Sequence, residues 1–204
     1  MIIELIRHGE ALKNINRTGW IISGAKSKRI ESVAEHSYGS VISAIIIAQH
    51  LISTEKIEID IQKVVLMAAL HDLPESITGD IARTGAFVEN EEFVRKKQLA
   101  ENDAINRIFE PMKESFENLI HIWTEFNREV SLESRIVKGA DIIDMLIHAR
   151  SLEEEGVSPQ SLHQFFASSK SRIGSLGIEI VTKIYNTLCY EHQQKAEVQG
   201  IVLE

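Results

Sequence analysis

Among the histidines and carboxylates of this chain, His36, the adjacent pair His71 and Asp72, and Asp141 form a constellation that could hold a metal ion. His71 and Asp72 close a run, Val64 to Leu70, that is apolar on every side. An imidazole and a carboxylate at the end of such a run are costly to bury unless a partner satisfies them. A divalent ion is one such partner. Two imidazoles and two carboxylates form a mixed nitrogen and oxygen set suited to Mn, Co, Ni, Fe or Zn, with coordination positions left for water or substrate. Taken singly, each also reads as a satisfied core histidine or a helix-capping aspartate.

These residues need rigid elements to bring them together, and the apolar spacing supplies helices. Ser32 followed by Glu35 has the form of a capping box opening a helix that carries His36 and runs to about His50. The next helix begins near Asp60 and contains the apolar run, so it belongs at the centre of the core; Pro74 marks its end, and Thr78-Gly79-Asp80 reads as a turn. Asp141 lies in a long helical pattern that starts after Ser131 and Ser134 and stops near Glu155, before Gly156 and Pro159. Around these, Ile2 to Leu12 reads as a short amphipathic helix and Asn14 to Gly24 as a loop. Asn90 to Phe109 reads as an exposed mixed-charge helix, and Pro111 starts another that includes Trp123. Two more fill Gln160 to Ser171 and Ile178 to Gln194. No internal repeat, linker or strand pair stands out. The expectation is a single all-α domain over residues 1–204, of roughly eight helices, with the metal-site core over about 30–155 and the helices of 157–204 packed on it.

Composition agrees with that reading and narrows the function. With 204 residues, 44% apolar and 25% charged, the chain matches an ordinary globular domain at about 150 residues per domain. Its 11 Gly and 3 Pro are too few for the turns of a β-sandwich. Cys189 is the only cysteine, which excludes an internal disulfide and points to a reducing, cytoplasmic setting. Met1 to Glu10 carries Glu4, Arg7 and Glu10 and so lacks a signal-peptide core. Val41 to Ile52 is interrupted by polar residues and falls short of the ~18 apolar residues of a membrane span. Thirty acidic against 22 basic residues give a net charge of −8, which opposes binding to long nucleic acid. One basic segment, Ala11 to Ile30, holds Lys13, Arg17, Lys26, Lys28 and Arg29 with no acid, and reads either as a solvated loop or as a local attraction for a small anion such as a phosphate monoester.

Two family resemblances follow. Arg7-His8-Gly9-Glu10 has the Arg-His-Gly letters of histidine phosphatases, but no second histidine precedes a glycine and the flanking spacing is helical, so this is a chance match. The order His36, His71-Asp72, Asp141 resembles the HD-domain phosphohydrolases. More specifically, the chain is similar to the HD-family 5′-deoxyribonucleotidases through Arg17-Thr18-Gly19-Trp20, Glu31-Ser32-Val33-Ala34-Glu35-His36-Ser37, Ala69-Leu70-His71-Asp72-Leu73-Pro74-Glu75, Thr78-Gly79-Asp80-Ile81 and Lys138-Gly139-Ala140-Asp141.

That resemblance implies one divalent ion held by His36, His71, Asp72 and Asp141, with Glu75 and Asp80 as the acids that handle protons. It implies an arginine that orients phosphate and a tryptophan, Trp20, that faces the nucleoside. The arginine is Arg17, with Arg29 and Arg83 as alternatives because the spacing from Arg17 to Trp20 and His36 is loose. Asp80 and Arg83 complete the implied substrate contacts. Asp144, one turn beyond Asp141, is either a support for the ligands or a solvated carboxylate. The implied activity is release of phosphate from (deoxy)ribonucleoside 5′-monophosphates by a homodimer. Alternatives are hydrolysis of a guanosine polyphosphate alarmone, disfavoured by Glu75-Ser76, and a non-catalytic nucleotide-binding module, disfavoured by Glu75 and Asp80. Between Asp72 and Asp141 the only histidine is His121, which disfavours a dinuclear centre.

Overall fold

The computed structural model describes residues 2–25, 29–82 and 90–203. Its regular elements are helices: α1 (Ile2–Leu12), α2 (Thr18–Ile22), α3 (Val33–His50), α4 (Ile61–Leu70), α5 (Glu75–Thr78), α6 (Glu91–Phe109), α7 (Lys113–Arg128), α8 (Leu132–Glu154), α9 (Pro159–Leu176) and α10 (Glu179–Val198). Eight of these are long, as an all-α bundle of that size requires. An isolated antiparallel bridge, Asn16 to Ser32, is the one strand-like pairing among the described residues.

Local chemistry explains where the long helices start. Ser32 accepts from the Glu35 amide while the Glu35 carboxylate accepts from the Ser32 amide at 2.9 Å, the expected capping box. Asp60, Asn90 and Ser131 cap α4, α6 and α8 by accepting the amides of Lys63, Phe93 and Ser134. Each such cap contributes about 1 kcal/mol.

The core is a sandwich of α3, α4 and α8, in which Ala44, Ile47, Val64, Met67, Val137 and Ile143 interlock, with α9 and α10 covering the far side of α8. Small residues allow the close approach. A Cβ on Gly39 of α3 would lie 2.7 Å from Cγ of Asp144 on α8, so any larger residue there has to displace the Asp144 carboxylate. A smaller cluster, Ile105, Ile108, Phe109 and Trp123, joins α6 to α7. By length and composition, Val33–Glu55 is apolar enough to cross a membrane. Its buried face, from Val33 through His36 and Ser40 to Ala48, packs in the core, as in a central helix of a globular bundle.

Four expectations change. Asn14 to Gly24 is not all loop, because α2 forms there. The helix carrying Val64 to Leu70 ends before Pro74, which instead precedes the short helix α5; that helix stops at Gly79 with φ 71°. Helix α6 is exposed only in part, since Ala104, Ile105, Ile108 and Phe109 are buried. Finally, the apolar residues Ile2, Ile3 and Ile6 of the amphipathic α1 face outward.

Candidate metal centre and its pocket

His36 sits one turn into α3, His71 directly after the last residue of α4, Asp72 next to it, and Asp141 in the middle of α8. Ligating atoms of His36, His71 and Asp141 all lie within 4.8 Å of one another. His36 Nε2 is 3.0 Å from Asp141 Oδ1 and 3.7 Å from Asp72 Oδ2. On its other side, His36 Nδ1 is 2.8 Å from Asp144 Oδ2, so the N–H donates to Asp144 and the Nε2 lone pair faces the cluster. Asp144 is therefore a support for a ligand and not a solvated carboxylate. Without a cation in the cluster, burial and the Arg17 charge oppose protonation of His36, but hydrogen bonds to Asp141 and Asp144 outweigh them and raise it to about 10. A bound cation would take the place of the Nε2 proton and leave that nitrogen as a lone pair.

His71 gives the sharper test of whether a cation fits. Its Nδ1–H donates to the Ala68 carbonyl at 2.8 Å, which leaves Nε2 as a lone pair. Among the described residues that atom is buried without a hydrogen-bond partner, 3.2 Å from Asp72 Oδ2. Two electron-rich atoms at that separation repel unless a cation lies between them. Trp123 fixes the turn by donating from Nε1 to the His71 carbonyl at 3.2 Å. The donor set, its spacing and this unpaired nitrogen all fit a divalent ion. Burial pushes the carboxyls of Asp72 and Asp141 up, but the surrounding histidines, with Arg17 beside Asp72, hold both well below the usual carboxylate range.

A cavity of about 310 Å³ opens beside the cluster, lined at this end by Arg17, Asp72, Glu75, Asp80 and Asp141. Arg17 reaches Asp72 Oδ2 at 3.3 Å. The Arg17 amide bonds to the Glu31 carbonyl at 2.9 Å and the Val33 amide to Ile15 O at 2.8 Å, which ties the approach to α2 against the start of α3. Asp80 accepts the Thr18 amide, and Thr18 Oγ1 donates to the Asp80 carbonyl at 2.9 Å. Asp80 thus docks on the first turn of α2, next to Arg17.

Glu75 is 2% exposed, and burial with the charges of Asp72 and Asp80 pushes its carboxyl well above the usual range, against the opposing charges of Lys97 and Arg17. Trp20 is also 2% exposed. Its Nε1 donates to Glu31 at 3.0 Å and its ring packs on Phe165, 4.4 Å between centroids, so it forms a fixed wall of the cavity and not a free platform. Arg29 is exposed and pairs with Glu35, away from the cavity, while Arg83, Lys26 and Lys28 lie outside the described residues.

Sequence reasoning missed further charged residues that line the cavity: Lys97 and Glu101 of α6, Lys138 of α8 and Arg172 of α9. Lys138 lies 3.9 Å from the Phe126 ring centroid, and burial pushes its ammonium down. A signal existed for the α6 pair: Lys97, Glu101, Ala104, Ile105 and Ile108 recur on one helical face, so the polar pair continues a buried stripe.

Residues 9–179 match the HD domain family. The 5′-deoxynucleotidase HDDC2 of Danio rerio is 30% identical over 162 residues, covering 79% of this chain and 74% of that protein. The human protein of that name is 27% identical over 172 residues, covering 84% of this chain and 78% of its own. Among solved structures, a conserved hypothetical protein from Pyrococcus furiosus superposes with a TM-score of 0.70 at 29% identity, over 90% of this chain and 99% of that one. With the His, His-Asp, Asp order placed around one point by three helices, and a family match over most of its length, this chain belongs to the HD-domain family.

Proposed function

We propose that the chain is a metal-dependent phosphomonoesterase that releases phosphate from nucleoside 5′-monophosphates, with the deoxy series preferred. The observation that carries this is the unpaired His71 Nε2 facing Asp72 inside a cavity that also holds Arg17 and the buried Glu75. The relatives named 5′-deoxynucleotidases support the substrate class. His36, His71, Asp72 and Asp141 would hold a divalent ion, which would supply Lewis-acid polarisation of the phosphoryl group and a nucleophile at neutral pH. Arg17 offers two parallel donors to the phosphoryl oxygens, and its contact with Asp72 keeps the guanidinium at the rim of the cluster. Glu75, buried and with its carboxyl raised by that burial, is the group placed to give a proton to the departing 5′ oxygen. Asp80, already bonded to Thr18, holds the Arg17 segment in place. Trp20 and Phe165 present an apolar wall to the nucleoside.

A homodimer and a cytoplasmic location belong to the same proposal. Tyr38, Ile42 and Ile46 recur every four residues along α3 and are exposed, which supports a self-association face there. Sedimentation velocity checks the first and localisation of a tagged chain the second.

The central test is phosphate release by chelator-stripped protein supplied with Mn, Co, Ni, Fe or Zn and a panel of ribo- and deoxyribonucleoside monophosphates. Release from 5′- but not 3′-monophosphates, with about one ion per chain, is the expected result. Asp72→Ala should lose both ion and turnover while helix content by circular dichroism survives, because three remaining donors hold a divalent ion poorly. Equal rates on 3′- and 5′-monophosphates, or two tightly held ions per chain, would overturn the reading.

A further inference from the structure

Lys97 has no part in the mechanism above, yet its head group sits at the hub of the acidic wall. It comes from α6, its side chain is 20% exposed, and Nζ donates to the Ile81 carbonyl at 2.9 Å. The same nitrogen is 3.7 Å from Glu75 Oε1 and 3.5 Å from Glu101 Oε1. An ammonium has three N–H donors, and here three acceptors surround it on three segments: α5, the chain after Gly79, and α6 itself. One N–H is hydrogen-bonded to Ile81 and the charge is paired with Glu75 and Glu101, so the ammonium is held among protein acceptors. Glu75 Oε1 is taken up by this contact, whereas Oε2 is buried without a hydrogen-bond partner among the described residues.

We propose that Lys97 is a positioning residue for the reaction: its ammonium pins Glu75 through Oε1 so that Oε2 stays free at the cavity, and it anchors Ile81 so that Asp80 remains docked on α2 beside Arg17. This rests on the phosphomonoesterase reading and adds to it a residue that touches neither ion nor substrate. The arrangement follows from cost. Glu75 lies near the negative Asp72 and Asp80, and α5 is a four-residue helix with little packing of its own. A carboxyl in that setting rotates toward any available donor, so a cation brought from a longer helix decides which oxygen it uses. His8 of α1, bonded to Ser76 at 2.8 Å, braces the outer side of α5, and Lys97 braces the inner side.

The test is a double-mutant cycle on the full chain with its ion. Lys97→Met should lower kcat about 10- to 100-fold with KM changed less than about twofold, and Lys97→Arg should restore most of it. In a Glu75→Ala background Lys97→Met should cost almost nothing more, because its effect passes through Glu75. Independently of activity, hydrogen exchange at residues 80–82 should quicken in Lys97→Met, with the ion count unchanged. If Lys97→Met does not fold, Lys97→Gln is read by the same criteria.

Full additivity with Glu75→Ala, unchanged kcat, or equal loss in the Met and Arg variants would overturn the proposal. So would a second ion per chain that binds more tightly when Lys97 is removed, since Glu75 would then be a ligand. Failure of the wild-type chain to release phosphate from any nucleotide overturns the phosphomonoesterase reading instead, while unchanged exchange at 80–82 counts against Lys97 alone.

Discussion

At the scale of single residues, the site is held by pairs in which one partner fixes the state of the other. His36 presents Nε2 to the cluster because Asp144 takes its Nδ1–H, and His71 presents Nε2 because the Ala68 carbonyl takes its Nδ1–H. A carboxylate behind an imidazole raises its basicity and fixes its orientation, and loss of such a partner costs about 10- to 100-fold in metal affinity. Asp144→Asn should therefore bind the ion that much more weakly, read by competition with a chelator, while its thermal unfolding in the metal-free state stays near wild type. An unchanged affinity would show that the Asp144 charge is idle. Glu75 makes a separate prediction, because it stands outside the ligand set. Glu75→Ala should retain one ion per chain and lose about 10²- to 10⁴-fold in kcat, the usual range for a proton-transferring group. Wild-type turnover in that variant would make Glu75 structural.

At the scale of elements, α3 and α8 carry the reaction's geometry between them, and Gly39 sets how close they come. A methyl at Gly39 meets the Asp144 carboxylate, 2.7 Å from Cγ and 3.0 Å from Oδ2, so either the helices part or Asp144 leaves His36. Gly39→Ala should destabilise the fold by about 1–3 kcal/mol in urea unfolding and weaken the ion as Asp144→Asn does. Adding Asp144→Ala should recover the stability but not the affinity. If the double variant stays as unstable as the single, the clash lies elsewhere. What could be read in the sequence divides along the same line. The starts of α3, α4, α6 and α8 were readable because Ser32, Asp60, Asn90 and Ser131 cap by bonds that span three residues. The five-residue α2 and four-residue α5 leave no periodic trace, and contacts distant in sequence hold them: Asp80 on Thr18, and Lys97 and His8 on α5. The order of His36, His71, Asp72 and Asp141 was visible, while the partnership of Asp144 with His36, 108 positions apart, is a product of packing. Lys97 and Glu101 passed for a solvated pair because opposite charges four apart look alike on a wet face and on a pocket wall.

At the scale of the whole molecule, a second polar network lies within the packing of α8, α9 and α10. His192 is 1% exposed, its Nδ1 bonds to Glu153, its Nε2 lies 3.0 Å from His163 Nδ1, and its ring stacks on Phe166 at 4.1 Å. Burial, then the Arg150 charge, lowers His192 from 6.5 to about 4, so the folded protein keeps it neutral where the unfolded chain would already be protonated. The unfolded state then binds more protons between those two values, and stability attributable to His192 is full above pH 6.5 and declines as the pH falls toward 4. Glu75 and Glu101, both raised by burial, act oppositely over part of that range, gaining stability as the pH falls. The informative quantity is therefore the difference between two urea-unfolding series, wild type and His192→Asn, whose amide N–H can replace Nδ1–H toward Glu153. The difference should be constant from pH 8 to about 7 and shift in favour of the Asn variant between about 6.5 and 4. Asp72 and Asp141 titrate below the usual carboxylate range and leave that window undisturbed. A difference flat across the whole range would mean that His192 takes up its proton in the fold as readily as in the open chain, and that Glu153 rather than Arg150 governs it.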